Sequence, residues 1–409
     1  MMNNLGNVYQ AQGNQDSAID CYEQSLEIKC AIGDQPGIAQ TMNNLGAVYQ
    51  TQEKWDSAID CYEQSLEIMH AIGDQPGIAT AVNNLGNIYQ AQGKWDAAID
   101  CYEQSLEISR AVGDQQGIAQ TIGNLGNVYQ VQRRWDAAID CYEQSLGISR
   151  AIGDQQGIAR TMNNLGNIYK DQGKWGEAID CYEQSLEIKR AIGDQQGIAQ
   201  TMNNLGNVYN AQGKWGAAID RYQQGLEILR VIGDQQDIAR TIGNLGVVYE
   251  AQGKWDAAID CYQQNLETMR AIGDQQGIAQ TVGNLGVIYE AQGKWDAAID
   301  CYQKSIQSSH QIGDSQTEAN GWYNLGNAQA KLGNPTAHTS YQNAKALYQE
   351  LKLTNMVQNC DNAISQIGKK KRSFPLWQSA IVLLVMSIGW MAVKPHGPAP
   401  QKGEVRQLK

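Results

Sequence analysis

An asparagine recurs at one position of a forty-residue period, immediately before a Leu-Gly pair. Its amide carries hydrogen-bond donors and an acceptor without charge, so a row of such amides can bind the backbone of an extended peptide whatever its side chains. The spacing therefore favours recognition of a polypeptide over a chemical step. The row consists of Asn4, Asn44, Asn84, Asn124, Asn164, Asn204, Asn244, Asn284 and Asn324.

The elements that carry this row belong to nine copies of one unit, eight regular and a ninth, degraded copy that begins at Gly321. In the copy over 73–112, apolar and small residues recur at three- and four-residue steps over 79–89 and again over 95–108, which predicts two helices. Gly113 can end one helix in the left-handed conformation, and the Asp114 carboxylate can cap the N-terminus of the next helix. Each unit is therefore an antiparallel pair, helix A then helix B, that needs stacked neighbours to bury its core.

The same copy also carries a recognisable set of residues: Leu85, Gly86, Tyr89, Gly93, Trp95, Ala98, Tyr102 and Leu106. In type and spacing they resemble the tetratricopeptide repeat (TPR) signature, and the resemblance covers about 1–352. The period exceeds the usual thirty-four residues and is similar to that of kinesin light chains and of the cell-polarity adaptors that bridge to G-protein α subunits. The resemblance implies an all-α, right-handed superhelical solenoid whose helices A line a concave groove. It names no client, because no partner domain accompanies the repeats.

Helix A is expected to pack through Leu205 and Gly206 and to turn Asn203, Asn204 and Asn207 toward the groove. The resemblance implies that asparagines at this point bind a partner segment. Two alternatives stay open: duplication copies idle residues as well as useful ones, and an asparagine can bond a neighbouring helix. The candidate partner-binding residues are Asn44, Asn84, Asn87, Asn124, Asn127, Asn164, Asn167, Asn204, Asn207, Asn244, Asn284, Arg160, Lys170 and Arg240.

The copies differ at positions that are expected to face the groove. Glu250 and Glu290 replace glutamines of earlier copies, and Val247 and Val287 replace asparagines. These changes divide the groove into a neutral amide half and a charged, partly apolar half. Drift between copies is the alternative explanation.

Other function classes find little support in the composition. The net charge of −12 argues against nucleic-acid binding, which needs a basic surface. The four histidines are scattered, and no metal-ligand spacing or grouping of nucleophile and base is present. We therefore expect no metal, no cofactor and no enzymatic activity, and we assign the tryptophans that begin each helix B to packing.

The cysteines are interpreted as free thiols. Seven of the nine occupy one repeat position. Equivalent positions in stacked helix pairs lie roughly 10 Å or more apart, beyond the ~7 Å that a disulfide allows. The spacing therefore predicts reduced cysteines, which are typical of a reducing compartment.

The C-terminal region contains an uncharged run of twenty residues, 374–393, after a basic cluster. At about 1.5 Å per residue this run is long enough to cross a ~30 Å hydrocarbon core; a buried core helix is the alternative. No secretory signal precedes the repeats. The sequence therefore predicts a tail-anchored, single-pass membrane protein with its repeats in the cytoplasm.

The expected organisation is a TPR solenoid over 1–352, a capping helix over 353–368, a basic juxtamembrane segment over 369–373, a transmembrane helix over 374–393 and a polar tail over 394–409. The predicted function is that of a membrane-anchored adaptor that binds a protein or peptide segment in its groove. Met1 begins inside a helix A, so either the start of the protein lies upstream or this face meets another molecule. The alternative function is therefore that of a self-associating assembly protein, a homo-oligomer joined through the first repeat.

Overall fold

A computed structural model describes residues 2–372, with side chains to residue 367. Every regular element in this range is an α-helix, and there are nineteen of them. The helices are α1 (Met2–Ala11), α2 (Gln15–Ile32), α3 (Gln35–Thr51), α4 (Trp55–Ile72), α5 (Gln75–Ala91), α6 (Trp95–Val112), α7 (Gln115–Val131), α8 (Trp135–Ile152), α9 (Gln155–Asp171), α10 (Trp175–Ile192), α11 (Gln195–Ala211), α12 (Trp215–Ile232), α13 (Gln235–Ala251), α14 (Trp255–Ile272), α15 (Gln275–Ala291), α16 (Trp295–Ile312), α17 (Ser315–Lys331), α18 (Ala337–Glu350) and α19 (Thr354–Arg372).

The helix ends form as the sequence predicts. Gly113 adopts a left-handed φ of 76° after α6, and the Oδ1 atom of Asp114 accepts a hydrogen bond from the Gly117 amide at 3.0 Å. This glycine stop and aspartate cap recur between helix B and the next helix A, for example at Gly153 and Asp154. Odd-numbered helices up to α17 are therefore helices A, and even-numbered helices up to α18 are helices B.

Contacts divide the chain into two units, Met1–Gln252 and Gly253–Lys409. The first unit contains α1 to α13, and the second contains α14 to α19. Each unit is a stack of helix pairs. The right-handed superhelix implied by the resemblance stays a prediction.

The apolar core joins helix B of one repeat to helix A of the next. One cluster combines Ala98, Tyr102 and Leu106 of α6 with apolar residues of α7, such as Ile118 and Leu125. The next cluster repeats these positions forty residues later, with α8 and α9. A single helix pair would leave both halves of this core exposed, so each repeat depends on its neighbour.

Within a helix pair, a buried tyrosine packs against a glycine of helix A. Tyr102 is fully buried, and a Cβ atom built on Gly86 would lie 2.6 Å from its Cε1 atom. The same contact joins Gly126 to Tyr142 and recurs along the chain. Glycine is required here because the ring occupies the volume of any larger side chain.

A buried serine makes a second tie between the two helices of a pair. The Ser105 hydroxyl of α6 donates to the Ala79 carbonyl of α5 at 2.8 Å, and Ser145 bonds Ala119 in the same way. Helical spacing alone does not predict this hydrogen bond. Trp95, at the start of α6, lies half-buried against the apolar core, which confirms its packing role.

The last helix covers the end of the second unit. Cys360 of α19 is fully buried in a cluster with Ala344 and Tyr348 of α18. Helix α19 runs from Thr354 to Arg372, so its backbone continues through all four basic residues that directly follow the expected cap.

The membrane prediction is corrected. Among the helices of residues 2–372, none combines the length and the apolar composition needed to cross a bilayer. This finding overturns the predicted single-pass membrane localisation. The run 374–393, on which that prediction was based, lies outside the described residues.

We expect Gly86→Ala to lower the free energy of unfolding by about 1–3 kcal/mol, because the new methyl group overlaps the Tyr102 ring. The matched control is Gly147→Ala in α8, where no atom lies within 4 Å of an added Cβ. That control is expected to gain about 0.5–1 kcal/mol from helix propensity. Urea denaturation followed by circular dichroism measures both; equal midpoints would contradict the packing argument.

Candidate functional site

The first asparagine row makes hydrogen bonds between successive helices A. The Nδ2 atom of Asn124 donates to Asn83 at 3.1 Å and to Asn87 at 3.2 Å, in the preceding repeat. Asn164 donates to Asn127 at 3.1 Å. Asn204 and Asn44 bond the preceding helix A in the same way. At these four positions the structure shows the bond to a neighbouring helix that the sequence had left open as an alternative.

Two members of this row lack such a bond. Asn84 and Asn244 are half-buried, and neither forms a side-chain hydrogen bond with residues 2–367. The preceding repeat carries Ala47 where Asn87 and Asn127 stand later, and the Oδ1 atom of its Asn43 is buried without a hydrogen-bond partner. Asn284, in the second unit, is exposed.

The second asparagine row, defined here as the oriented amides, consists of Asn87, Asn127, Asn167 and Asn207. Their Oδ1 atoms accept hydrogen bonds of 2.6–2.7 Å from the hydroxyls of Tyr102, Tyr142, Tyr182 and Tyr222.

Each tyrosine fixes the orientation of its amide. Burial raises the pKa of Tyr102, which keeps its hydroxyl protonated and donating. The carbonyl end of Asn87 is therefore turned toward the hydroxyl. Within the described part of the chain, the Nδ2 atoms of all four oriented amides have no hydrogen-bond partner. The arrangement presents four amide donors at forty-residue intervals.

From the sequence, Tyr102 was identified only as a member of the repeat signature, and its hydroxyl was given no role. One available signal was the choice of tyrosine over phenylalanine at the position in every copy, in a chain with nineteen tyrosines and one phenylalanine. A purely apolar contact does not require the hydroxyl.

Asn203 differs from the expectation that it faces the groove. It is only 3% exposed, and its Nδ2 atom donates to the Thr241 hydroxyl at 2.8 Å. The next repeat covers this part of α11. Asn203 therefore belongs to the interface between repeats.

The charged candidates are in three different settings. Arg160 is exposed and forms no ion pair with any described residue. Lys170 lies 3.3 Å from its neighbour Asp171. Arg240 pairs at 2.7 Å with Asp237, whose second carboxylate oxygen is buried without a hydrogen-bond partner.

In the second unit, Val287 and Glu290 both affect the hydrogen bond of the Tyr302 hydroxyl. Val287 occupies the position of an oriented amide and cannot accept the tyrosine hydroxyl. Tyr302 donates to Glu290 at 2.9 Å, whereas Tyr102 donates both to Asn87 and to Gln90. A carboxylate thus stands where the earlier repeats have neutral acceptors.

Burial keeps several of the repeat cysteines as thiols at neutral pH. Burial, and then the charge of Asp180, raise the pKa of Cys181 to about 11. Burial has the same effect on Cys61, whose pKa is also about 11. No group of histidine, cysteine and carboxylate side chains within residues 2–367 is arranged to hold a metal ion.

A known protein family matches most of this chain. The model of the tetratricopeptide repeat matches residues 1–71, 37–111, 77–151, 117–191, 157–230 and 237–309. The chain belongs to the tetratricopeptide repeat family. The resemblance inferred from the sequence is confirmed, and the repeats make this chain a scaffold for interactions between proteins. A comparison with curated proteins found no match.

Solved structures share the fold at low sequence identity. A Signal Transduction ATPase with Numerous Domains from Pyrococcus horikoshii, which carries a TPR sensor, is 14% identical over 84% of this chain and 55% of its own, with a TM-score of 0.62. A Rap protein complexed with Competence and Sporulation Factor is 16% identical over 81% and 97%, with a TM-score of 0.52. Aspartyl phosphate phosphatase F from Bacillus subtilis is 14% identical over 90% and 98%, with a TM-score of 0.53. At these identities the likeness shows the fold alone.

The hydrogen bond from Asn164 to Asn127 gives a stability prediction. We expect Asn164→Ala to lose about 1 kcal/mol of unfolding free energy relative to Asn84→Ala, which breaks no such bond. Both changes gain the same helix propensity, so their difference isolates the bond. Urea denaturation of the two variants measures it, and indistinguishable midpoints would contradict the assignment.

The raised thiol pKa values give a second prediction. At pH 8 we expect an aromatic disulfide reagent to modify the exposed Cys30 well before Cys181, and raising the pH toward 11 to speed the reaction of Cys181. Peptide mapping by mass spectrometry identifies the modified thiols, and Cys30→Ser serves as the control. Equal rates at pH 8 would show that the Cys181 thiol is not protected.

Proposed function

We propose that this chain binds an extended segment of a partner protein along its helices A, and that the oriented amides hold the backbone of that segment. The observation that carries this proposal is the fixed orientation of Asn87, Asn127, Asn167 and Asn207. Each amide keeps a donor available because a tyrosine hydroxyl occupies its carbonyl oxygen.

Orientation matters because binding loses affinity whenever a side chain must first be immobilised. Each oriented amide is held by a hydroxyl whose own ring is locked under a glycine of helix A. The entropy cost of ordering the donor is therefore met during folding rather than during binding. A backbone carbonyl of an extended segment is the natural acceptor for an uncharged amide donor.

Other candidate residues add to the same surface. Asn84 and Asn244 bring amides with no side-chain hydrogen bond to residues 2–367, and Arg160 brings a cation with no ion pair there. Asn124, Asn164 and Asn204 act chiefly between repeats, since their Nδ2 atoms bond the preceding helix A. The proposed binding surface therefore rests on a smaller set of residues than the sequence suggested.

The test replaces Asn87 and Asn127 by valine, the residue that the chain itself carries at Val247 and Val287. Tyr102 and Tyr142 keep Gln90 and Gln130 as acceptors at 2.9 Å, so the fold is expected to persist. We expect about tenfold weaker partner binding from the loss of two donors. Affinity capture with the full chain as bait, read by quantitative mass spectrometry, identifies the bound proteins, and titration of the recovered partner gives the affinity.

The control variant replaces Glu103 and Glu143, exposed residues of α6 and α8, by alanine. It changes two positions of helices B at the same spacing and is expected to leave binding unchanged. Equal binding by the valine variant and the native chain would overturn the proposal. Light scattering on the same samples distinguishes partner binding from self-association, because self-association raises the molecular mass of the chain without a second protein.

A further inference from the structure

The second unit contains a cavity of about 760 Å³ that is lined by residues of α15, α17, α18 and α19. Its wall is formed by Glu290 of α15, Tyr323 and Asn327 of α17, and Tyr341 of α18, with amide side chains of α19 opposite. The cavity is large enough for one long side chain of a bound partner. None of the fourteen candidate partner-binding residues lines it, but Glu290 is one of the sequence changes that were expected to face the groove.

Glu290 brings a carboxylate to this cavity with one oxygen still available. Its Oε2 atom accepts the Tyr302 hydroxyl at 2.9 Å. No lysine, arginine or histidine among residues 2–367 forms an ion pair with it. Lys331 also lines the cavity but is exposed and is not within ion-pair distance of Glu290. A half-buried carboxylate without a cationic partner favours a ligand that supplies the positive charge.

Two tyrosine rings line the same cavity as this carboxylate. The ring centroids of Tyr323 and Tyr341 are 5.7 Å apart, and their planes are tilted by 60°. The Tyr341 hydroxyl donates to the Oδ1 atom of Asn327 at 2.8 Å, which holds the ring in place. Burial raises the pKa of Tyr341 to about 12, so the phenol is neutral. The π face of a neutral tyrosine attracts cations.

We propose that the cavity binds the guanidinium group of an arginine in the partner segment. A guanidinium is planar, so it can stack on the half-buried Tyr323 ring while it donates to the free oxygen of Glu290. The net charge of −12 favours the approach of a cationic segment. This inference rests on the proposed function, because the arginine belongs to the segment that the helices A bind.

The test uses capped pentapeptides with two alanines on each side of a central residue, which is arginine, citrulline or lysine. Citrulline has nearly the shape of arginine without its charge. With the full chain, titration calorimetry is expected to show at least tenfold tighter binding of the arginine peptide than of the citrulline peptide, the range of one charge-assisted hydrogen bond. The lysine peptide is expected to fall between the two, since an ammonium group lacks the planar fork.

The matched variants are Glu290→Gln and Glu267→Gln. Glutamine occupies the equivalent position at Gln90 and Gln130, where it accepts the tyrosine hydroxyl, so Glu290→Gln is expected to fold normally. Glu267 is exposed on α14 and does not line the cavity, but its replacement removes the same charge. We expect Glu290→Gln to abolish the preference for arginine over citrulline and Glu267→Gln to leave it unchanged.

An arginine preference that survives in Glu290→Gln would overturn the inference, and so would lysine binding as tightly as arginine in the native chain. Equal loss in both variants would trace the preference to net charge and overturn it as well. These measurements need no partner protein. The arginine proposal can therefore be overturned even if the valine variant binds the partner more weakly. It can also be supported even if the valine variant binds the partner as tightly as the native chain.

Discussion

The contact between a buried tyrosine ring and a glycine of helix A is the constraint on which the other features depend. It sets how closely the two helices of a repeat approach, as for Tyr102 and Gly86. The buried ring also contributes to the core that continues into the next repeat. Its hydroxyl reaches the polar side of helix A and orients Asn87. Packing and the candidate binding chemistry therefore depend on one side chain.

The helix pairs could be predicted from the sequence because two strong signals agree. Apolar residues follow the helical period over 79–89 and 95–108, and Gly113-Asp114 marks the boundary chemically. Family membership followed from the same residues. The membrane prediction was wrong for a different reason: it rested on the hydropathy of the run 374–393 and not on the repeat pattern, and no helix among residues 2–372 could cross a bilayer.

The candidate site could be predicted only in part. Helical periodicity places Asn203, Asn204 and Asn207 on the same side of helix A. It does not predict which of these side chains the next repeat buries. The structure buries Asn203 against Thr241, uses Asn204 between helices, and leaves Asn207 with a free donor end. A difference of one residue between copies decides a further case: Val287 cannot accept the Tyr302 hydroxyl, which donates to Glu290.

The core between α6 and α7 uses the same repeat positions as the core between α8 and α9. Removing or inserting one complete forty-residue module would rejoin surfaces that already match, so module number can change in one genetic step at small energetic cost. Insertion of a single residue within a helix has the opposite effect, because it rotates every following side chain by about 100°. The fold therefore tolerates the gain or loss of a whole repeat by recombination far better than the insertion of a single residue within a helix.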